Sequence, residues 1–175
     1  MSIDYICECN EAGRSILYSV SGLNAEETAI LVPKGINEVA ASCCERDQFL
    51  TAVTVPSCVL KIDHEAFFDC HRLISVKLSN GLREIERYAF SRTMLLGITI
   101  PDSVEYLGIG AFAENKWMRE VILPRHLYNV IKHNFYNYFP RTVTNVKVHN
   151  LKQRYCDGRD GSIPEHEIIS ISELH

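Results

Sequence analysis

A phrase of about 23 residues recurs along this chain from residue 27 to about residue 140, and a unit that short cannot bury its own apolar side unless it stacks on copies of itself. Three copies are plain. One opens with Leu50-Thr51-Ala52-Val53-Thr54-Val55-Pro56 and closes with Ala66-Phe67-Phe68-Asp69-Cys70. The next runs from Leu73-Ile74-Ser75-Val76-Lys77-Leu78 to Ala89-Phe90-Ser91-Arg92-Thr93, and the third from Leu95-Leu96-Gly97-Ile98-Thr99-Ile100-Pro101 to Ala111-Phe112-Ala113-Glu114-Asn115. Degenerate copies flank them, one with Ile30-Leu31-Val32-Pro33 and Cys43-Cys44, the other with Val121-Ile122-Leu123-Pro124 and Asn134-Phe135. Equivalent positions repeat evenly: Pro33 to Pro56 and Pro56 to Ser79 are 23 apart, Ser79 to Pro101 is 22, and Pro101 to Pro124 is again 23.

Within a copy the opening L-x-x-V-x-V alternates as a half-buried strand does. Some 16 residues of return path separate successive strands, too many for tight hairpins, so the strands should run parallel. On the return path, Val59 and Ile62, Leu82 and Ile85, Val104 and Leu107, and Leu127 and Val130 are three apart, a spacing that points inward from irregular or 3₁₀-like turns. The Ala-Phe pair lets the backbone pass close while a ring fills the coil, which predicts a spine of Phe67, Phe90, Phe112 and Phe135, with Cys44 in the equivalent slot of the first copy. Cys70, Thr93 and Asn115 share another slot, and each offers a donor to the backbone of a bend.

The phrase L-x-x-V-x-V-P-x-x-V-x-x-I-x-x-x-A-F-x-x-C, read from Leu50 to Cys70, resembles the leucine-rich repeats of the bacterial surface antigen A (BspA)-like, or Treponema-type, family. The resemblance covers about residues 27 to 140. It implies an α/β-type leucine-rich-repeat solenoid of about five repeats plus caps, with a curved parallel β-sheet on the concave side and irregular or 3₁₀ turns on the convex side. Members of that family are mostly adhesins or recognition proteins, and no catalytic residues come with the motif.

Three regions follow. Residues 1–26 hold two strand-like runs, Ile3–Cys7 and Ser15–Val20, around Asn10-Glu11-Ala12-Gly13, and are expected to form an amino-terminal hairpin cap. Residues 27–149 form the solenoid with a terminal strand over Val143–Val148, and Tyr128, Phe135, Tyr136, Tyr138 and Phe139 crowd its last copy as a capping cluster. Residues 150–175 form an acidic tail with a loop over Cys156–Gly161 and a strand or docking segment at Ile168–Ile171.

With 46% apolar and 23% charged residues, the composition describes a soluble chain, and no apolar run reaches the roughly 18 to 20 residues of a membrane span. The first ten residues lack a basic segment followed by an apolar one, and seven cysteines in no paired framework point to a reducing compartment, so a cytoplasmic location is expected. The formal charge of −4 opposes a polyanionic partner, and the bases of the repeat body are spread rather than clustered, which argues against nucleic acid.

Catalytic and metal chemistry finds no foothold. Asp157-Gly158-Arg159-Asp160-Gly161 lacks the ligand ladder of a calcium loop, Asp63-His64-Glu65 is replaced by Glu86-Arg87-Tyr88 and Gly108-Ile109-Gly110 in the next copies, and Cys7-x-Cys9 and Cys43-Cys44 have no histidines at zinc spacing. The seven histidines pair with no nucleophile, and there is no phosphate-binding glycine loop, so neither an enzyme nor a cofactor is expected.

Function is therefore expected on the sheet. With Val53 and Val55 inward, the outward columns are Ala29, Ala52, Ser75, Gly97 and Glu120, then Leu31, Thr54, Lys77, Thr99 and Ile122. A floor of mostly small residues suits another protein or a peptide better than a small molecule. Ala52, Thr54, Ser75, Lys77, Thr99, Glu120 and Ile122 are the expected partner-binding residues of a non-catalytic recognition module, with a cell-surface adhesin or host-interaction protein as the alternative.

Overall fold

The computed structural model describes residues 3–149 and 166–169. The chain opens with β1 (Asp4–Cys9) and β2 (Ser15–Ser21), an antiparallel hairpin whose turn is held by Asn10, with Oδ1 accepting from the amides of Ala12 and Arg14. The coils that follow each carry one strand of the opening phrase and a two-residue strand on the return path. In chain order these are β3 (Ala29–Leu31), β4 (Glu38–Val39), β5 (Ala52–Val55), β6 (Lys61–Ile62), β7 (Ser75–Leu78), β8 (Glu84–Ile85), β9 (Gly97–Thr99), β10 (Tyr106–Leu107) and β11 (Glu120–Pro124). A helix, α1 (Arg125–Ile131), and a 3₁₀ segment (Lys132–Asn137) lead to β12 (Asn145–His149), and β13 (His166–Ile169) pairs antiparallel against it.

The strands of the opening phrase stack in parallel and in register, β3 on β5 on β7 and β9 on β11 on β12. The result is the expected solenoid. The return path is more ordered than its spacing implied, because β4, β6, β8 and β10 form a second parallel ladder that begins on β2 of the hairpin. Val59, Ile62, Leu82, Ile85, Val104 and Leu107 all point into the core from this side.

A third set of bonds closes each coil. The bend around the Ala-Phe pair has a positive φ on either side of it, at Ser42 and Arg46, Glu65 and Asp69, Tyr88 and Arg92, and Gly110 and Glu114, with φ between 54° and 73°. Only one of these eight is glycine, and each other residue carries a left-handed backbone costing roughly 1–2 kcal/mol. The alternation turns every second amide toward the neighbouring coil. Glu65, Phe67 and Asp69 donate to the carbonyls of Arg87, Ala89 and Ser91, and Tyr88, Phe90 and Arg92 donate to those of Ile109, Ala111 and Ala113, at 2.8–3.4 Å. Buried amides left without partners would be costlier than the strained φ, so the hydrogen bonds hold the unfavourable backbone in place.

The rings between these bends are fully buried. Phe67, Phe90, Phe112 and Phe139 stack with centroids 5.1, 5.5 and 5.3 Å apart and planes within 7° of parallel. The last member corrects the sequence reading, which placed Phe135 there. Phe139 takes the slot because α1 and the 3₁₀ segment lengthen the final coil, placing Phe139 27 positions after Phe112 and directing Phe112 N–H to Tyr138 O. Phe135 stacks beside it at 4.7 Å instead. The same helix corrects the Leu127–Val130 pair: its buried face is Leu127, Tyr128 and Ile131, and Val130 is rotated outward to 75% exposure.

The shared polar slot is buried and bonded. Asn115 Nδ2 donates to Phe90 O and Phe112 O (2.8 and 2.9 Å), its Oδ1 accepts from Thr93 N and Thr93 Oγ1, and Cys70 Sγ donates to Cys44 O at 2.9 Å. Burial pushes the Cys70 thiol up to about 12, which makes it inert as a nucleophile at neutral pH. The six described cysteines are all free. The loop expected over Cys156–Gly161 lies outside the described residues.

Truncating the central ring, Phe90→Ala, should cost about 3–5 kcal/mol in denaturant melts, as large aromatic truncations in cores do. At the strained bend, Glu65→Gly should leave the melting temperature equal or higher while Glu65→Val lowers stability by about 1–2 kcal/mol, since a β-branched side chain fits the left-handed region worst.

Candidate functional site

The sheet built by the opening phrases presents the two outward columns. Register pairs Ala29 with Ala52 and Ser75, and Leu31 with Thr54 and Lys77. In the second half it pairs Gly97 with Glu120 and Asn145, and Thr99 with Ile122 and Lys147. Alternation holds where it is clearest: Val53 and Val55 are buried while Ala52 and Thr54 are half-buried, and Ser75 and Lys77 are exposed. Within the columns Leu31 is the most exposed large apolar side chain, at 58%.

Not all these groups are free to meet a partner. Glu120 Oε2 lies 2.7 Å from both Lys147 Nζ and Asn145 Nδ2, so the far end of the floor is a neutralised acid–base pair with an amide beside it. Lys77, in contrast, is an exposed cation in the middle of the floor. The columns therefore run from small and apolar at Ala29, Leu31 and Ala52, through one cation, to a polar end.

Between β7 and β9 the ladder is interrupted. The break falls where the repeat is one residue short. Cys70 and Leu73, like Asn115 and Met118, have two residues between them, whereas Thr93 and Leu95 have only Met94. At full-length junctions Thr28 O accepts from Thr51 N and Ala52 N, and Thr51 O accepts from Ile74 N and Ser75 N; at the short one Leu73 O accepts from Met94 N instead. The entry to β9 is thus a step out of register with β7, and a cleft of about 290 Å³ opens on the floor. It is lined by Val76, Lys77, Leu78, Gly97, Ile98, Thr99 and Glu120. Val76 and Leu78 are half-buried there, where their equivalents Val53 and Val55 are buried.

Of the residues expected to bind a partner, Lys77, Thr99 and Glu120 line this cleft, Ala52, Thr54 and Ser75 lie on the first half of the floor, and Ile122 lies on the second beside Thr99. Sequence reasoning missed Asn145 and Lys147, which continue the columns on the terminal strand. It also missed the cleft, although the 22-residue interval was its visible signal.

Among the described residues, no group of three or more His, Cys, Asp or Glu side chains is placed to hold a metal ion. Asp63 Oδ1 accepts from the His64 amide at 2.8 Å and lies 3.2 Å from His64 Nδ1, an arrangement internal to the bend. No described helix is long and apolar enough to cross a membrane.

Comparison with solved structures finds the same fold in several bacterial proteins. A leucine rich cell surface protein from Faecalibacterium prausnitzii is 18% identical, with a TM-score of 0.67 over 85% of this chain and 38% of that one. A leucine-rich repeat protein from Bacteroides capillosus is 24% identical, with a TM-score of 0.58 over 83% of this chain and 94% of that one. The pneumococcal vaccine antigen PcpA is 21% identical, with a TM-score of 0.55 over 63% of this chain and 29% of that one. The chain thus spans well under half the length of two of these relatives. Among curated proteins, none matches this sequence significantly. The family model of the BspA type leucine rich repeat region, which describes six copies, matches residues 37–154. The phrase, the stacked coils and this match agree: the chain belongs to the BspA-type leucine-rich repeat family.

Proposed function

We propose that the chain is a non-catalytic recognition module that binds another protein or a peptide across the concave sheet. The observation that carries this reading is the floor itself: two in-register columns of mostly small side chains, marked by Lys77 and opened by the cleft at the β7–β9 break. Small residues allow a partner's side chains to approach the backbone, and the cleft gives one of them a place to enter. Leu31 offers apolar contact at one end, and the Glu120–Lys147 pair offers a polar rim at the other.

A second reading concerns where that binding takes place. Two of the similar structures carry names of a cell surface protein and a vaccine antigen, which favours display at the cell surface over the cytoplasmic location expected from the amino terminus and the cysteines. On this reading the partner is a host or neighbouring-cell protein. Surface labelling of intact cells of the source organism distinguishes the two locations.

Chemical crosslinking in the native source, followed by purification and mass spectrometry, identifies the partner, and substitutions then test the face. Thr54→Arg, Lys77→Glu and Thr99→Arg should each weaken its binding more than about tenfold, through steric and charge mismatch. They should leave the melting temperature nearly unchanged, and the exposed return-path substitutions Glu84→Lys and Arg87→Glu should leave binding unchanged. If the return-path changes abolish binding and the floor changes do nothing, the sheet is only a scaffold.

A further inference from the structure

The missing residue that interrupts the sheet also leaves its mark on the edge of the solenoid. Where the bends of neighbouring coils carry two residues, His71-Arg72 and Lys116-Trp117, the coil between them carries Met94 alone, and a notch of about 470 Å³ remains. Its base is Arg92, Thr93 and Met94, and its walls are Asp69 and His71 on one side and Glu114, Lys116 and Trp117 on the other. We propose that this notch is a binding site for a neutral saccharide.

The argument starts from Trp117. It is the only tryptophan of the chain, and it is 55% exposed beside Met94, itself 39% exposed. The core is filled by phenylalanine rings, and this indole takes no place in their stack. Its face is a flat apolar platform with a negative electrostatic potential, suited to the weakly positive C–H groups on one face of a pyranose ring.

The groups around that platform are polar and balanced. Asp69 and Glu114 offset Arg92 and Lys116, so a ligand of strong net charge would always meet like charge, and an apolar one would strip water from four ions. A sugar hydroxyl both donates and accepts, and so serves a carboxylate and a guanidinium or ammonium within one ring. Arg92 is held for this by Glu114, with Nε 2.9 Å from Oε2, and its guanidinium carbon lies 5.5 Å from the centre of the Phe68 ring. Asp69 Oδ1 is inaccessible to solvent and accepts no hydrogen bond among the described residues; His71 Nε2 lies 3.5 Å away and Arg46 Nε lies 3.9 Å from the other oxygen. The Asp69 side chain keeps 16% of its surface exposed, and that accessible part of the carboxylate offers an acceptor to a sugar hydroxyl.

The site is independent of the concave floor, and because Trp117 is the chain's only indole, its emission reports on the notch alone. The whole chain is titrated with the trisaccharides of N-acetylglucosamine, mannose, galactose and glucose, with emission as the readout and calorimetry for the variants. At least one sugar should shift the emission to shorter wavelength and saturate, with a Kd on the order of 1 mM for so open a site. Trp117→Ala and Asp69→Asn should each weaken that sugar by more than about tenfold, Trp117→Phe by less, and Tyr106→Ala, on the return path, should have no effect. Asparagine tolerates the left-handed backbone of position 69, so the Asp69 variant separates loss of the carboxylate from loss of the fold, and circular dichroism melts check both. No saturable response to any of the four sugars overturns the proposal, as does binding that survives Trp117→Ala. So does an emission change produced by a protein partner and by no sugar, which would make the notch part of a protein interface.

Discussion

Everything in this molecule depends on holding successive coils one strand spacing apart. Backbone hydrogen bonds on three sides set a repeat of about 4.8 Å, and a phenyl ring inside each coil then meets its neighbour at that distance plus a small offset. The observed centroid separations of 5.1–5.5 Å are that geometry. Each fully buried ring contributes roughly 1.5–3 kcal/mol relative to exposure, against about 0–1 kcal/mol for a surface pair such as Arg83–Glu105. The spine and the ladders therefore carry the fold, and the ion pairs between coils decorate it.

The same dependence explains why a single missing residue matters. In an isolated loop it would be absorbed locally, but here each inner coil is stacked between two others. Shortening the bend at Met94 displaces the entry to β9, breaks its ladder with β7, opens the floor cleft, and leaves the notch below Trp117. The core does not follow, since Phe90 and Phe112 remain stacked and fully buried across the break. A local departure from an otherwise consistent pattern is where function is expected in a protein, and the floor cleft and the notch both lie around one such departure.

Much of this was legible in the sequence, because side-chain period and unit length are direct records of strand register. The parallel strands, the outward columns and the Phe67–Phe90–Phe112 stack all follow from residue spacing. Phe139 did not, because spacing assumes a constant unit and the helix at Arg125–Ile131 lengthens the last coil. The left-handed bends did not either: Ser42, Glu65, Tyr88 and Gly110 share a backbone conformation but no side-chain chemistry, and only the last announces it. For the candidate site, the columns were legible and the clefts were not, since a cleft arises from the relation between coils rather than from any one copy.

Amide hydrogen exchange along the concave strands tests the central claim that one short bend interrupts an otherwise continuous ladder. In the native protein, protection should be high through β5, β11 and β12 and should drop for the amides of β7 and β9 that face each other. Inserting one residue after Met94, to restore the spacing of the other coils, should raise protection there to the level of the rest. Uniform protection across β5, β7, β9 and β11 in the native chain, unchanged by the insertion, would contradict the account.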